Sequence, residues 1–524
     1  MNRETFHSLA ETYNAIPVTR TVMADTLTPV SLFLSLRHGA RYPFLLESVE
    51  GGERLARYSF LGRDPWQVLH FEQGALRLEP LRGQTPDPLD GESYFHALQQ
   101  LTSKYQAPDL PGLPPLTGGA VGFSSYDTIR QVEHLPDAPN DDLNLPDAVW
   151  AFYDEIYAFD HVKSQIVLIH TVILDNGAAE VGNKDGVAEL GNKGGADTVS
   201  KNRKNAVEAY RIDAYRNELY DRAMERLDAM EKRCIPAVYP SAPLSLEPAQ
   251  LRSNITPKTF SDMVETAKNH IFEGDIFQVV LSQRFEVPFE GDTFSLYRAL
   301  RMVNPSPYLF YLDMGRFYLI GSSPEVLVRV TGREVRLLPI AGTRPRGQTH
   351  QQDLELEQDL IGDPKEIAEH VMLVDLGRND LSRISRSGSV QLERNMVVER
   401  FSHVMHIVSD VIGELESDRH AVDALKHCFP AGTVSGAPKI RAMEIIDALE
   451  PVRRGPYAGA VGYFDQAGNM DTCIAIRTMV VTKSSIYIQA GAGIVADSVP
   501  QKEYEETENK AKALVRALSV ALEF

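Results

Sequence analysis

Glu366 and Glu369, in Glu366-Ile367-Ala368-Glu369-His370, and Glu503 and Glu506, in Glu503-Tyr504-Glu505-Glu506, each place two carboxylates three positions apart. On a helix that spacing sets both side chains on one face, so two such helices facing each other would hold a hard divalent cation among oxygen ligands. A magnesium site assembled from sequence-distant parts implies an enzyme acting on something anionic. Plainer readings stand beside this one. Asp363-Pro364-Lys365-Glu366 also reads as a helix start, with an N-cap Asp, Pro in the first turn and Glu three residues on. Glu369 has no such role. Ser498-Val499-Pro500-Gln501 predicts a cap for the last helix, leaving Glu505 and Glu508 toward solvent, so the second pair also fits a solvated acidic face.

Further residues of chemical interest lie in the same half. Gly491-Ala492-Gly493 directly follows an apolar strand-like run, where bare backbone can approach a ligand and its N–H groups can bind a carboxylate. Arg477, in Cys473-Ile474-Ala475-Ile476-Arg477-Thr478, reads as a strand residue whose guanidinium needs an anion, either an internal carboxylate or a substrate. The run from Phe429 through Gly432, Thr433 and Gly436 to Lys439 resembles a phosphate loop but lacks a terminal Gly-Lys-Ser/Thr, which excludes nucleotide binding of that kind. His406 alternates with apolar residues on an expected strand, the usual setting of a satisfied core histidine.

Composition narrows the partners. Lys and Arg total 53 against 72 Asp and Glu, a net charge of -19, the wrong sign for nucleic acid or an anionic membrane surface. A small anionic substrate is repelled at long range too, so its site needs locally placed Arg, Lys, backbone N–H groups or a metal. Met1-Asn2-Arg3-Glu4-Thr5 lacks the basic and apolar pattern of a secretory signal, and no run approaches the ~18 apolar residues of a membrane helix. A cytoplasmic location is expected. Cys234, Cys428 and Cys473 form no disulfide framework or Cys-x-x-Cys pair and read as small packing residues of a reducing compartment.

The elements that must position these groups are legible in outline. Apolar runs between Gly/Asp turns over 30 to 70, and again over 146 to 174, predict a β-rich domain over residues 1–174. Residues 175–204, in which Val181-Gly182-Asn183-Lys184 is echoed by Leu190-Gly191-Asn192-Lys193, are too polar to offset ordering entropy and read as a mobile insertion. Residues 205–254 read as an amphipathic helix followed by a Pro-rich linker. Over 255–524, strand-like runs alternate with helices expected at 260–273, 365–376, 436–449 and 501–522. The fold class expected is α+β, with mixed or antiparallel sheets packed as a sandwich and helices at its flanks.

In this order the runs resemble the chorismate-binding enzymes over roughly residues 255 to 520. The matching blocks are Gly321 to Glu325, Pro339 to Gly347, Glu369 to Asp380, Thr433 to Lys439, and Gln489 to Gly493. Isochorismate- and salicylate-forming members carry a water-activating lysine where this chain has Gln278, so the resemblance implies an ammonia user. Aminodeoxychorismate synthases carry a lysine in the block that here reads Pro339-Ile340-Ala341-Gly342-Thr343, so Ala341 points to the anthranilate-forming branch. A catalytically silent tryptophan-sensing subunit is disfavoured because every expected catalytic position is filled.

The resemblance implies conversion of chorismate and ammonia to anthranilate and pyruvate through aminodeoxyisochorismate. It assigns Glu325 as the acid, His406 and Thr433 to the later elimination, and Mg2+ to Glu369 and Glu506, with Glu366 and Glu503 in support. It assigns substrate contacts to Gly342, Thr343, Tyr457, Arg477, Gly491, Ala492, Gly493 and Lys439. Burial among acidic groups would raise the pKa that such an acid needs. Leu45 to Ser48 and Asn304 to Leu309 resemble tryptophan-binding elements, giving Ser48, Pro307, Tyr308 and Leu309 as inhibitor contacts and 1–174 as the regulatory domain. Leu309 stands where the family usually has Met, a volume-conserving exchange expected to alter affinity without abolishing inhibition. No cysteine lies in a Gly-x-Cys-x-Gly setting, so ammonia is expected from a separate glutamine amidotransferase subunit in a hetero-oligomer.

Overall fold

A computed structural model describes residues 1–48, 57–82, 89, 91, 93–174, 197–235, 244–401 and 404–523, with side chains described except at 197–210 and 249. Two large sheets dominate, one of 13 strands and one of 11. Every strand pairing among the described residues is antiparallel, so the sheets are antiparallel rather than mixed, within the expected α+β class.

Both sheets are built from both ends of the chain. In the larger, Phe44–Glu47 pairs with Tyr308–Asp313, setting Glu47 opposite Leu309. In the smaller, Gly119–Ser124 pairs with Ala460–Asp465. The boundary drawn between 1–174 and 255–524 is thus one of sequence, and hydrogen-bonded strands cross it twice. A sandwich core forms where the inner faces meet, with Phe44, Phe60, Phe310 and Leu319 from one sheet against Val121, Phe123, Val149 and Val461 from the other. That two-sided burial explains why Ala148–Tyr153 and Glu155–Asp160 are buried along their whole length instead of alternating. Burial of this kind supplies the main driving force, at ~25 cal/mol per Å2 of apolar surface.

Helices cover the outer faces. Pro500–Ala521 buries Ala511, Leu514, Leu518 and Ala521, a three- and four-residue spacing that lays one stripe on the larger sheet and leaves Glu503, Glu506 and Lys510 along another. Its N-cap is Val499, without a side-chain cap bond, because Ser498 Oγ accepts instead from the Val495 N–H at 3.0 Å. The long helix after the insertion runs Asp197–Arg233, so residues 197–204, expected to be loop, are helical; the rest of the predicted insertion lies outside the described residues. Pro29–Leu36, inside the stretch read as strands, is also a helix, capped reciprocally by Thr28 and Ser31.

One buried ion pair ties the halves together near the candidate site. Arg454, 3% exposed, donates to both Glu450 oxygens (2.9 and 2.6 Å), to the Val434 carbonyl (2.6 Å) and to the Val280 carbonyl (2.7 Å). Glu450 also accepts from the Ser282 N–H and hydroxyl, each at 2.8 Å. From the N-terminal half, the Tyr126 ring lies 4.7 Å from the guanidinium and Asp127 accepts the Gly455 N–H at 3.1 Å. Arg454→Met strands the Glu450 charge and two carbonyls in the interior. A loss of about 3–5 kcal/mol is expected in chemical denaturation, with Arg454→Met/Glu450→Met recovering part of it; equal losses in both variants would contradict this account.

Candidate active site

The Pro364–Ser382 helix starts as its sequence suggests, with Asp363 capping the Lys365 N–H at 3.0 Å and Pro364 in the first turn. Glu366 does not complete a capping box. Its carboxylate accepts from Arg344 Nη1 at 3.1 Å, and Arg344 also binds Asp359 and Asp363. Inside the helix, His370 is fully buried and its Nε2 meets Ser409 Oγ at 2.7 Å. This bond fixes the Glu369 helix on the Val404–Glu414 strand, which carries His406.

Across the cleft stands the first part of Pro500–Ala521. Burial, then the Glu366 charge, raises the pKa of Glu369, with Glu506 adding to the rise; burial likewise raises Glu503, and Glu506 adds to that. Carboxylates on the two helices therefore feel one another. They are not drawn into a tight cluster: among the described residues, the His/Cys/Asp/Glu grouping with donor atoms within 4.8 Å is His270, Glu273 and Asp275, where Asp275 is already bound by Arg441 at 2.7 Å. Lys510, one helical turn beyond Glu506, pairs with it at 2.8 Å and donates to the Gly491 carbonyl at 2.9 Å. Its i,i+4 spacing was the available sequence signal for this contact, which was missed.

The Ser485–Ile494 strand brings Gly491, Ala492 and Gly493 opposite Ser282, Leu281 and Val280. Space is tight here: a Cβ at Gly491 would lie 2.7 Å from the Tyr457 hydroxyl and 3.0 Å from the Leu281 carbonyl oxygen, and one at Gly493 would displace the Gln278 side-chain nitrogen, 2.6 Å away. Gln278 in turn draws the Glu369 pKa down, so the residue in the family's lysine position faces the acidic helix pair. Tyr457 is buried beneath Arg454, 5.6 Å from ring to guanidinium, and burial pushes its pKa up to about 12.

Glu325 heads the Val326–Thr331 strand. Burial pushes its pKa up to about 7, against smaller downward pulls from Thr433, Lys510 and Arg477. Thr433, in the short Gly432–Val434 turn, has a buried hydroxyl that, among the described residues, is turned to the Glu325 carboxyl and has no further partner. Arg477 is not a strand residue, contrary to the reading of Cys473–Thr478: Met470–Ile474 ends before it, and its φ of 49° puts it in the left-handed region. Its guanidinium has no hydrogen bond or ion pair among the described residues, and burial lowers its pKa while Glu325 opposes that. A desolvated cation in strained backbone is a candidate binding position.

His406 Nδ1 meets the Gly342 carbonyl at 2.9 Å and Thr343 Oγ1 at 3.1 Å. A carbonyl only accepts, so Nδ1 carries the proton and Nε2 keeps its lone pair. Burial lowers the His406 pKa, which keeps the ring neutral near pH 7. Gly342, at φ 67°, provides the bulge that turns its carbonyl to the histidine. Lys439 is a correction: its ammonium binds Asp380 at 2.8 Å and the Cys428 carbonyl at 3.4 Å, so it is an internal ion pair and no free positive contact for substrate.

The second expected site assembles partly. Ser48 follows the Phe44–Glu47 strand, beside the strand holding Tyr308 and Leu309. Leu309 is 1% exposed, and the Tyr308 hydroxyl is fixed between Asp471 and Arg329, each at 2.8 Å. Ser306 has a buried hydroxyl lacking a partner among the described residues, just before Pro307. A cavity of about 700 Å3 lies at the other end of the larger sheet, lined by Arg37, Asp292, Tyr311, Asp313 and Lys483. Its arginine is held bidentately by Asp292, so it is set apart from the catalytic groups in place and in chemistry.

Comparison with known proteins identifies the family and the fold. A family model described as chorismate binding enzyme matches residues 56–516. The chain is 44% identical to anthranilate synthase component 1 of Acetivibrio thermocellus, covering 98% of this chain and 97% of that one, and 44% identical to that of Pseudomonas aeruginosa, covering 99% of each. Anthranilate synthase component I from Streptococcus pneumoniae superposes with a TM-score of 0.68 at 38% identity, covering 94% of this chain and 99% of that one. The menaquinone-specific isochorismate synthase of Escherichia coli shares the fold, with a TM-score of 0.64 at 19% identity. Matched over most of its length by the family model and by these relatives, the chain belongs to the chorismate binding enzymes, among the anthranilate synthase component 1 proteins.

Proposed function

We propose that this chain converts chorismate and ammonia to anthranilate and pyruvate, a carbon–oxygen lyase reaction at the start of tryptophan biosynthesis. The observation that carries this reading is the meeting of Glu325, with a pKa near 7, with the unpaired Arg477 cation, while the His406 ring is held as a neutral base. Arg477, Tyr457 and the Gly491–Gly493 backbone take the enolpyruvyl end of chorismate, and Gly342 and Thr343 border the ring beside His406.

In the first step ammonia adds at ring C2 with shift of the double bond, and the ring hydroxyl leaves. Hydroxide is a poor leaving group, so Glu325 delivers a proton to that oxygen and water departs. In the second, His406 Nε2 removes the C2 proton of aminodeoxyisochorismate, the ring carbon–oxygen bond to the enolpyruvyl group breaks with its electron pair going to oxygen, the ring becomes aromatic, and the departing enolpyruvate takes up one proton at its methylene carbon to give pyruvate. Thr433, with its hydroxyl otherwise unpaired, holds the Glu325 carboxyl in line.

Mg2+ fits the donor set of the two acidic helices, where burial raises the pKa of Glu369 and of Glu503 and the Glu506 charge adds to both. Glu369 and Glu506 would bind it directly, with Glu366 and Glu503 in support, and its charge would neutralise and orient a substrate carboxylate. Arg344 and Lys510 at present hold Glu366 and Glu506.

Ammonia is supplied by a partner glutamine amidotransferase. The three cysteines support this: all are buried, and burial pushes Cys234 up to about 12 and Cys428 and Cys473 higher still, which suits none to nucleophilic glutamine hydrolysis. Tryptophan inhibits at Ser48, Pro307, Tyr308 and Leu309. The reaction takes place in the cytoplasm; no helix among the described residues is long and apolar enough to cross a membrane.

With chorismate, Mg2+ and ammonium, the purified chain is expected to produce anthranilate fluorescence, and Glu369→Gln to lower that turnover at least ~100-fold by weakening magnesium retention. Chorismate consumed without fluorescence would indicate aminodeoxychorismate formation instead. For Glu325 the sign follows from a folded pKa raised above its unfolded value. Below the unfolded value near ~4.5 both states are protonated, and the cost to stability grows as pH rises and is full above about 7. Glu325→Gln is therefore expected to melt higher than wild type at pH 8, with the gap closing near pH 5, while amination falls at least ~100-fold. Equal melting at both pH values would refute the buried-acid assignment. His406→Asn is expected to keep chorismate consumption and accumulate the aminated intermediate, detected by mass, with anthranilate formation down ~100-fold or more.

A further inference from the structure

Among the described residues the Arg477 side chain has no hydrogen-bond or ion-pair partner, so its left-handed backbone conformation must be held through the main chain. Its carbonyl accepts the Ser322 N–H at 3.1 Å. Ser322 is fully buried near the end of Tyr318–Ser323 and is gripped from the other side: its hydroxyl donates to the Asn304 carbonyl at 2.5 Å and accepts from the Asn304 amide at 3.1 Å. Asn304 closes the Thr293–Val303 helix through its N–H to the Leu300 carbonyl at 2.9 Å and begins the run that continues to Tyr308 and Leu309.

We propose that Ser322, held by Asn304, is a positioning residue for Arg477, and that this three-residue relay sets how well the site grips the substrate's carboxylate. The inference rests on the reading of Arg477 as the substrate's carboxylate arginine. Ser322 touches no substrate; it fixes the carbonyl of the residue that does. A left-handed non-glycine residue costs about 1–3 kcal/mol and persists only where its surroundings hold it. Here the Ser322 N–H bonds the strained residue itself, and the two Asn304 contacts keep the serine from turning away. The relay also begins where the Asn304–Leu309 run begins, so a ligand that displaces this run loosens Arg477 through two hydrogen-bonded steps.

Ser322→Ala keeps the N–H and releases Asn304. The KM for chorismate is expected to rise about tenfold, with kcat within about twofold of wild type, while the lost buried hydrogen bonds lower the melting temperature by a few degrees. Arg477→Lys is expected to raise KM more than ~10-fold, and adding Ser322→Ala to it should raise KM no further, a non-additivity that a merely structural serine would not show. If Arg477→Lys leaves KM unchanged, the carboxylate reading fails. If Arg477→Lys raises KM and Ser322→Ala does not, or if the two effects multiply, the relay is overturned. Should Ser322→Ala not fold, Asn304→Asp, which keeps the accepting carbonyl and loses the amide donor, decides in the same way: a raised KM supports the relay and an unchanged one overturns it.

Discussion

The buried Arg454–Glu450 pair is the constraint around which the catalytic region is organised. An isolated guanidinium or carboxylate in a protein interior costs several kcal/mol, and the pair persists because every donor and acceptor finds a partner. Those partners belong to different parts of the fold: the Val434 carbonyl beside Thr433, the Val280 carbonyl and Ser282 in the strand opposite Gly491–Gly493, and the aromatic faces of Tyr126 and Tyr457. Satisfying one ion pair therefore sets the turn that faces the acid, the strand that backs the glycines and the tyrosine beside them. The N-terminal half enters through Tyr126 and Asp127, which makes it a structural part of the site.

Around this anchor the site keeps charge in balanced tension. Glu325 is desolvated enough to hold a proton near neutrality, yet Lys510 and Arg477 stand close enough to keep it from rising further. The two acidic helices carry carboxylates that repel one another across a cleft, while Arg344 and Lys510 each hold one of them in reserve. His406 owes its neutral state to burial and its tautomer to a single carbonyl. Such opposed groups, whose environments push their pKa values apart, are how one fold divides acid and base roles between neighbouring steps.

Much of this was legible in the residues. Apolar runs predicted several strands of the C-terminal half, Gln278–Glu290, Val326–Thr331 and Ser485–Ile494 among them. Period-3.6 patterns predicted the helices Pro257–Phe272, Pro364–Ser382, Lys439–Leu449 and Pro500–Ala521, whereas Thr293–Val303, His350–Gly362 and Ala421–Cys428 were not foreseen. Other elements were lost for identifiable reasons. Pro29–Leu36 lies among strand-like runs, and its Thr28–Ser31 cap is short and weak in sequence. The helix from Asp197 begins in a polar segment whose first turns have no apolar stripe to betray them. Arg477 read as a strand residue because its neighbours are apolar, but its left-handed backbone, with the Ser322 N–H on its carbonyl and the Thr478 hydroxyl on the carbonyl of Ile476, leaves no mark on side-chain periodicity. Lys439 looked free because Asp380, its partner, is 59 positions away.

The sequence by itself determined which chemical groups exist: two Glu-x-x-Glu runs, one acid in a Ser-Pro-Glu block, a histidine on a strand, a Gly-Ala-Gly backbone and no cysteine in a nucleophile setting. It also determined the α+β class and the family, since both rest on local pattern and on the order of blocks along the chain. Only the tertiary structure decided which of those groups are free and which are paired. It turned Glu366 toward Arg344 and Lys439 toward Asp380, set Thr433 against Glu325 with Arg477 unpaired among the described residues nearby, and joined the two halves into shared sheets. The reason is physical: residue type follows from a position in the chain, whereas desolvation and partnership depend on neighbours brought together from hundreds of residues away.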